Sequence, residues 1–378
     1  MKEILQTTPD ERFPFNSYVL KKMENGKKAI GFLAHEQIPF ELIRASGLIA
    51  LPLFFTGTED DSSEGGIFLT HSSCTFARNV LGAIVTKTKQ NYNQISYFLR
   101  TNYCNGDFCG LEYASKQMNI PMINFFIPLK SDNKAIDYFH HQILQLKKKL
   151  EDLTGKNIQK ESIQFQAEIH NKLRSMLRNL NRMGIKGTEL LKRYQESTII
   201  EPNDMIKRLE FLYGDREFDE KQNNDNEIPR ILFSGDSIFI DDFLGKWLED
   251  IGVNLVAFDS WIGNGLFESE FSPQQEPDLC LGLAEYYINH QGQERCISSS
   301  IDKKVSKLKK LVKKFDIDGI INHGIKFCDY QALHRAQIRD ELGKVVPVLD
   351  IERDYSRANL GPLRTRVEAF LEIVTEGK

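Results

Sequence analysis

The chain has 378 residues, with 49 basic and 53 acidic side chains and a formal net charge of −4 at pH 7. At about 100–200 residues per domain, this length predicts two or three domains. The absence of a basic excess argues against a dedicated nucleic-acid-binding protein. No apolar leader follows Met1, and the most apolar stretch, 38–55, is interrupted by Glu41 and Arg44. We therefore expect a cytoplasmic chain without a membrane span.

The first third of the chain alternates short apolar runs with helical patterns. Runs of this length, bounded by turn residues, are typical of buried strands, and they occur at 30–34, 48–55, 97–99 and 120–127. Helices are predicted after Pro39, after Cys74 and over 112–118. This alternation indicates a parallel sheet flanked by helices. We assign it to an N-terminal α/β domain over residues 1–133.

The middle of the chain changes character and predicts helices only. Apolar residues from Ile136 to Leu153 recur at steps of three and four, which marks one face of a helix. Further helices fit 161–184 and 186–197, and an Asn-rich stretch over 219–227 is typical of a linker. Residues 134–225 therefore form a predicted helical segment between two domains.

Strand-like apolar runs return in the last third of the chain. They cover 230–234, 253–258, 318–322 and 345–351, and the final helix carries Val367 and Phe370. The pattern again predicts a parallel α/β unit, a C-terminal α/β domain over residues 226–378. The predicted fold class is thus α/β, with two parallel-sheet domains and a helical insert between them.

Six cysteines are scattered at positions 74, 104, 109, 280, 296 and 328. Their spacing matches neither a zinc finger nor a ferredoxin run. Cys104 and Cys328 follow predicted strands and Cys74 lies at a predicted helix start, where ligands of open α/β sheets collect. A helix amino terminus also lowers the pKa of a thiol. A shared iron–sulfur site and three small buried hydrophobic side chains are both compatible with this pattern.

Four segments stand in an order that is typical of one protein family. They are residues 28–48 with Pro-x-Glu at 39–41, Cys-Thr-x-Ala-Arg at 74–78, Cys-Asn-Gly at 104–106, and Lys-Phe-Cys-Asp at 326–329 followed by Arg-Thr-Arg-Val-Glu-Ala-Phe at 364–370. From about residue 27 to 376 the sequence resembles the 2-hydroxyacyl-CoA dehydratase D-component family. Its relatives include benzoyl-CoA reductase subunits and double-cubane cluster proteins.

The resemblance implies two Rossmann-like domains and a 4Fe–4S cluster on Cys74, Cys104 and Cys328, or alternatively a double-cubane 8Fe–9S cluster. It also implies an ATP-hydrolysing activator protein that supplies low-potential electrons for radical chemistry on an acyl-CoA. The partner is a paralogous subunit or a second copy of the chain. Two alternatives stay open: a homodimeric double-cubane reductase of small molecules, and a non-catalytic electron-transfer subunit. No nucleic acid or membrane partner is expected.

Two further residues are candidates for moving protons. His35 and Glu36 follow the first predicted strand, and the matching loop of the family approaches the substrate or the cluster. Both residue types serve as general acids or bases, although a loop pair bonded to backbone is the alternative interpretation. Cys109 is either an idle thiol or an additional ligand. Cys280 and Cys296 are expected to be structural.

Overall fold

The computed structural model describes residues 16–34, 38–53, 59–87, 95–214, 228–239, 242–291, 300–358 and 360–377. Within these residues the strands form two four-stranded sheets, and every pair of neighbouring strands is parallel. Helices flank both sheets. The predicted α/β fold with two Rossmann-like parallel sheets is therefore confirmed.

The first sheet has the strand order β2-β1-β3-β4. Its strands are β1 (Ala29–Leu33), β2 (Ile49–Leu53), β3 (Ile95–Arg100) and β4 (Met122–Asn124). Its helices are α1 (Asn16–Glu24), α2 (Phe40–Ala45), α3 (Glu59–Gly65), α4 (Thr75–Lys87) and α5 (Asn105–Met118). The two strands β1 and β2 are fully buried, whereas only Ile123 is buried in β4.

The last strand of this sheet is shorter than the sequence predicts. The expected strand over 120–127 reduces to three residues, since β3 ends at Arg100 and offers no further ladder partners. The Asn102 side chain takes over from the backbone: its Oδ1 accepts from the N–H of Ile127 at 2.8 Å, and its Nδ2 donates to the Ile127 carbonyl at 3.1 Å. The Asn102 side chain thus satisfies the backbone N–H and carbonyl of Ile127, a residue that the apolar pattern alone assigned to a strand.

Between residues 133 and 214, which the structure describes in full, there are four helices. They are α6 (Asn133–Thr154), α7 (Lys160–Arg182), α8 (Gly187–Ile199) and α9 (Pro202–Tyr213). Asp132 caps α6 by accepting from the N–H of Ala135 at 2.9 Å, and Gly155 ends it with a φ of 67°. The expected helices are present, and α9 is an additional one. The predicted linker over 219–227 lies outside the described residues, and the domain boundaries after 133 and 225 stay predictions.

The second sheet repeats the pattern of the first, with the order β6-β5-β7-β8. Its strands are β5 (Arg230–Gly235), β6 (Asn254–Asp259), β7 (Gly319–Ile325) and β8 (Val348–Arg353). Its helices are α10 (Phe243–Asp250), α11 (Leu279–Tyr286), α12 (Ser300–Lys314), α13 (Asp329–Leu342) and α14 (Leu360–Glu376). In each sheet the connections change direction between the two central strands, which creates a crevice at their carboxyl ends.

One apolar core joins the two sheets through the central helices. Buried residues of β1, α4, α8, β5 and β7 belong to the same cluster. Tyr194 of α8 is fully buried in it, and its hydroxyl bonds with Asn181 and Asn264 at 3.0 and 3.1 Å. The helical segment therefore ties the sheets into one packed unit. None of the helices in the described ranges is both long and apolar enough to cross a bilayer.

Candidate functional site

The three cysteines singled out in the sequence occupy the same local position. Each directly precedes a helix of 13 or 14 residues, namely α4, α5 or α13. The carbonyl of each cysteine accepts the first helical hydrogen bond, from Arg78 to Cys74 at 3.1 Å, from Phe108 to Cys104 at 2.9 Å and from Ala332 to Cys328 at 3.0 Å. The three cysteines therefore stand at the positive ends of three helix dipoles.

These cysteines line one cavity of about 540 Å³, which we call the cysteine cavity. Cys104 reaches it from the end of β3 and Cys328 from the end of β7, the equivalent strands of the two sheets. The N–H of Thr75 donates to the Lys326 carbonyl at 3.1 Å and joins the Cys74 segment to the Cys328 segment. The structure thus brings together three residues that are distant in sequence.

Small residues and aromatic rings shape this cavity. A Cβ added at Gly106 would lie 3.2 Å from the Ala77 Cβ, 3.7 Å from the Cys104 sulfur and 3.8 Å from the Cys74 Cβ, so this glycine packs between the two cysteines and α4. Tyr103 and Tyr330 face each other with ring centroids 6.1 Å apart, one from each sheet's end. The cavity wall is therefore built from both sheets.

A buried carboxylate that the sequence did not single out also lines the cavity. Asp236 follows β5, is 1% exposed and places its Oδ1 3.7 Å from the Cys328 sulfur. Its Oδ2 accepts from the N–H of Ile325 at 2.8 Å. In the described residues, the helix that follows β5 is α10, which begins at Phe243. The sequence signal that could have pointed to Asp236 is the Gly235-Asp236 pair, which directly follows the predicted strand over 230–234.

The thiol pKa values differ in direction from the expectation. Burial and the nearby Asp107 carboxylate raise the pKa of Cys104 above its usual range. The neighbouring Cys74 thiol, burial and Asp236 raise the pKa of Cys328 in the same way. Desolvation and negative neighbours outweigh the helix dipoles at both residues. Cys104 and Cys328 therefore keep their protons near neutral pH, and a metal bound there would have to displace those protons.

The possible ligands that this cavity offers include cysteine sulfurs. Soft thiolates select iron–sulfur clusters, zinc or copper. In the part of the chain that the structure describes, no group of three or more His, Cys, Asp or Glu side chains is suited to one ion. A cluster spreads its cysteine ligands over several iron atoms, and the cysteine cavity offers three thiols around an open volume. The residues present fit an iron–sulfur cluster.

The remaining cysteines differ in their surroundings. Cys109 is exposed on α5 and also faces the cysteine cavity. Cys280 is buried in the apolar cluster around α6 and α11, and it does not line the cavity. Burial in an apolar cluster agrees with the structural role that the sequence predicts for Cys280. Cys296, together with the proposed proton-moving residues His35 and Glu36, lies outside the described residues.

Two charged segments that carry the sequence resemblance have structural partners. Arg364 pairs with Glu368 at 2.7 Å, and Arg366 donates to the Asp350 carbonyl. Glu41 lies in the first turn of α2, and its carboxylate is fully buried against Arg174 of α7, with 2.5 Å between Oε1 and the guanidinium nitrogen. The Glu41–Arg174 pair is therefore buried in the fold, whereas the Arg364–Glu368 pair is exposed.

The chain is similar to dehydratase subunits over most of its length. Residues 37–374 match the family model of the 2-hydroxyglutaryl-CoA dehydratase D-component. The chain is 22% identical to the (R)-phenyllactyl-CoA dehydratase beta subunit of Clostridium sporogenes, over 94% of each chain. It is 21% identical to the beta subunit of (R)-2-hydroxyglutaryl-CoA dehydratase from Acidaminococcus fermentans, over 93% of this chain and 94% of the relative. It is also 22% identical, over 89% of each chain, to YjiM of Escherichia coli K12, which is named as a candidate dehydratase subunit. Because the family model spans most of its length, the chain belongs to the 2-hydroxyglutaryl-CoA dehydratase D-component family.

Proposed function

We propose that this chain is the iron–sulfur subunit of an ATP-activator-dependent 2-hydroxyacyl-CoA dehydratase or benzoyl-CoA-type reductase. One observation carries the proposal: Cys74, Cys104 and Cys328 converge on one cavity at the carboxyl ends of the central strands. In open α/β folds this edge is where ligands bind. The names of two relatives, which are beta subunits of acyl-CoA dehydratases, favour the dehydratase over the reductase.

The chain supplies the ligands and the walls of the site. The first sheet contributes Cys74 and Cys104, and the second contributes Cys328. Three cysteine ligands on a 4Fe–4S cluster would leave one iron open, as the open position of a catalytic zinc site does. When bound, such a cluster supplies a low-potential electron to the thioester substrate. The rings of Phe76 and Trp261, 5.0 Å apart, form an apolar part of the cavity wall.

Partner proteins are part of the proposal. An ATP-hydrolysing activator iron–sulfur protein would deliver the electron, and a paralogous subunit or a second copy of the chain would complete the enzyme in the cytoplasm. Two large apolar side chains at the cavity support a docking role, since Phe327 is 51% exposed and Leu129 is 45% exposed. Exposed apolar residues beside a functional cavity are typical of interaction sites.

Proton transfer is assigned to His35 and Glu36. They follow the end of the central strand β1 by two and three positions in the sequence, and both side chains can exchange protons near neutral pH when their surroundings tune them. We expect His35→Ala or Glu36→Gln to reduce turnover while the iron content stays unchanged. Full activity in both variants would exclude the assignment.

A second candidate is a homodimeric double-cubane reductase of small molecules. The Cys-Asn-Gly at 104–106 supports it, because dehydratase relatives often carry Cys-Asp-Gly there. One cubane corresponds to roughly four irons per chain and a double cubane to roughly eight. Iron and sulfide counting after anaerobic purification therefore separates the two candidates. A non-catalytic electron-transfer subunit would instead load iron but leave all substrate contacts to its partner.

The ligand assignment is tested by matched cysteine variants. Cys328→Ser is expected to lose most of the cluster iron after anaerobic reconstitution, because it removes one of three ligands. Cys280→Ser is the control, since Cys280 is buried away from the cavity. Equal iron retention in both variants would refute the assignment. The activity is tested with the activator protein, ATP, a candidate partner subunit and 2-hydroxyacyl-CoA substrates, by measuring formation of the enoyl-CoA product.

A further inference from the structure

A single buried carboxylate contacts the proposed cluster ligand from the second sheet. Asp236 emerges from the carboxyl end of β5, next to β7, whose end carries Cys328. Its Oδ1 lies 3.7 Å from the Cys328 sulfur, and the residue is 1% exposed. A carboxylate beside a ligand that becomes a thiolate is unfavourable on its own. Its position therefore calls for a functional reason.

The backbone holds this carboxylate in place. Its Oδ2 accepts from the N–H of Ile325, and the N–H of Asp236 donates to the His323 carbonyl at 2.9 Å. The ring of His323 returns the contact, with its Nδ1 2.7 Å from the Asp236 carbonyl. Hydrogen bonds between the two neighbouring strands thus fix Asp236 relative to Cys328. The carboxylate cannot turn towards solvent without breaking its hydrogen bond with Ile325.

The histidine behind Asp236 provides orientation without charge. The Nε2 of His323 accepts from the Arg353 guanidinium at 3.1 Å, so Nδ1 carries the proton that is donated to the backbone carbonyl of Asp236. Burial lowers the pKa of His323 to about 3, which keeps the ring neutral near pH 7. Arg353 itself is paired with Asp242. The positive charge of Arg353 is therefore balanced by the carboxylate of Asp242.

We propose that Asp236 is a positioning residue that acts through Cys328 and lowers the reduction potential of the cluster. The inference rests on the proposed function, since it requires the cluster. A fixed negative charge in a medium of low dielectric constant opposes the arrival of an electron. Net charge and the surroundings of the ligand sulfurs are the factors through which proteins set iron–sulfur potentials. A low potential suits a subunit that must pass an electron to a thioester.

The test compares reduction potentials of anaerobically reconstituted protein by EPR-monitored redox titration. Asp236→Asn removes the charge and keeps the shape, and it is expected to bind as much iron as the unaltered chain but to be reduced at a more positive potential. Asp236→Glu restores the charge and is expected to move the potential back. Asp259→Asn is the matched control, because Asp259 is buried at the end of the adjacent strand β6 and pairs with Lys307 at 3.0 Å.

Each outcome bears on one of the two proposals. A more positive potential in Asp236→Asn than in Asp259→Asn supports the inference, whereas an unchanged potential overturns it. If Asp236→Asn does not fold, Asp236→Ser removes the same charge with a smaller side chain, and an unchanged potential in that variant overturns the inference equally. Failure of the unaltered chain to bind iron would instead overturn the proposed function.

Discussion

Gly235 is the residue at which the second sheet tolerates least change. It ends β5 with a φ of +108°, and a Cβ added there would lie 2.0 Å from the His323 carbonyl oxygen and 3.0 Å from its carbonyl carbon. Both atoms belong to the backbone of β7, so no side chain can move aside. Gly235→Ala therefore has to separate β5 from β7 by roughly 1 Å or more, since unstrained carbon contacts lie near 3.5 Å.

The expected cost combines three terms. Positive φ in a residue with a Cβ costs about 1–2 kcal/mol, and forced overpacking costs about 1–3 kcal/mol. Alanine stiffens the unfolded chain and offsets about 0.4–1 kcal/mol. The net destabilisation is therefore about 1–5 kcal/mol, with a middle value of about 3 kcal/mol. Gly47→Ala is the control, because Gly47 has a φ of +83° and an added Cβ would meet nothing within 4 Å. Its cost is expected to be about 1 kcal/mol.

The measurement is urea unfolding followed by far-UV circular dichroism, with iron retention recorded in parallel. Gly235→Ala is expected to unfold at a clearly lower urea concentration than Gly47→Ala and to retain less iron, because Asp236 and Cys328 lie at the displaced strand ends. Equal midpoints for the two variants would refute the close approach of β5 to the His323 carbonyl, and with it the register of the two central strands.

Three further predictions concern buried charges and the metal. Burial lowers the pKa of His170 to about 3. The contribution of the neutral ring to stability is therefore complete above the unfolded pKa of about 6.5 and falls as the pH drops towards 3, by about 2 kcal/mol at pH 5. Thermal melts between pH 7 and 5 check this, and His170→Gln should make the melting temperature less dependent on pH. Glu41→Gln leaves Arg174 buried without its partner and is expected to cost about 3–5 kcal/mol in urea unfolding, against less than about 1 kcal/mol for Glu210→Gln, whose 3.5 Å pair with Lys172 is exposed. Removal of iron by an anaerobic chelator should lower the melting temperature, because a ligand that binds only the folded state stabilises it; identical melting with and without iron would contradict a site that spans both sheets.

The sequence predicted the strands and the cysteine positions for identifiable reasons. Short apolar runs marked seven of the eight strands closely, because buried parallel strands are apolar on both faces. Cys104 and Cys328 could be placed at one edge because each follows a strand, and parallel strands end on the same side of a sheet. The fourth strand was overestimated, since the amide of Asn102 replaces a ladder partner that no local pattern reveals.

Contacts between distant segments could not be predicted in the same way. Asp236 reaches Cys328 across 92 positions, and Glu41 reaches Arg174 across 133 positions. Both depend on the order of strands and on helix packing, which the sequence pattern does not specify. The thiol pKa directions were wrong for a related reason: the helix termini are visible in the sequence, whereas burial and the approach of Asp107 and Asp236 are not.

The division of the cysteines between two sheets has a consequence for the life of the molecule. Cys74 and Cys104 belong to one sheet and Cys328 to the other, so a cluster held by all three would act as a rivet between the halves. Loss of that cluster would then do more than abolish turnover, because it would also remove one link between two sheets that the shared apolar core would still hold together. Local opening exposes backbone to proteases, so molecules that have lost the cluster would be cleaved faster than molecules that hold it.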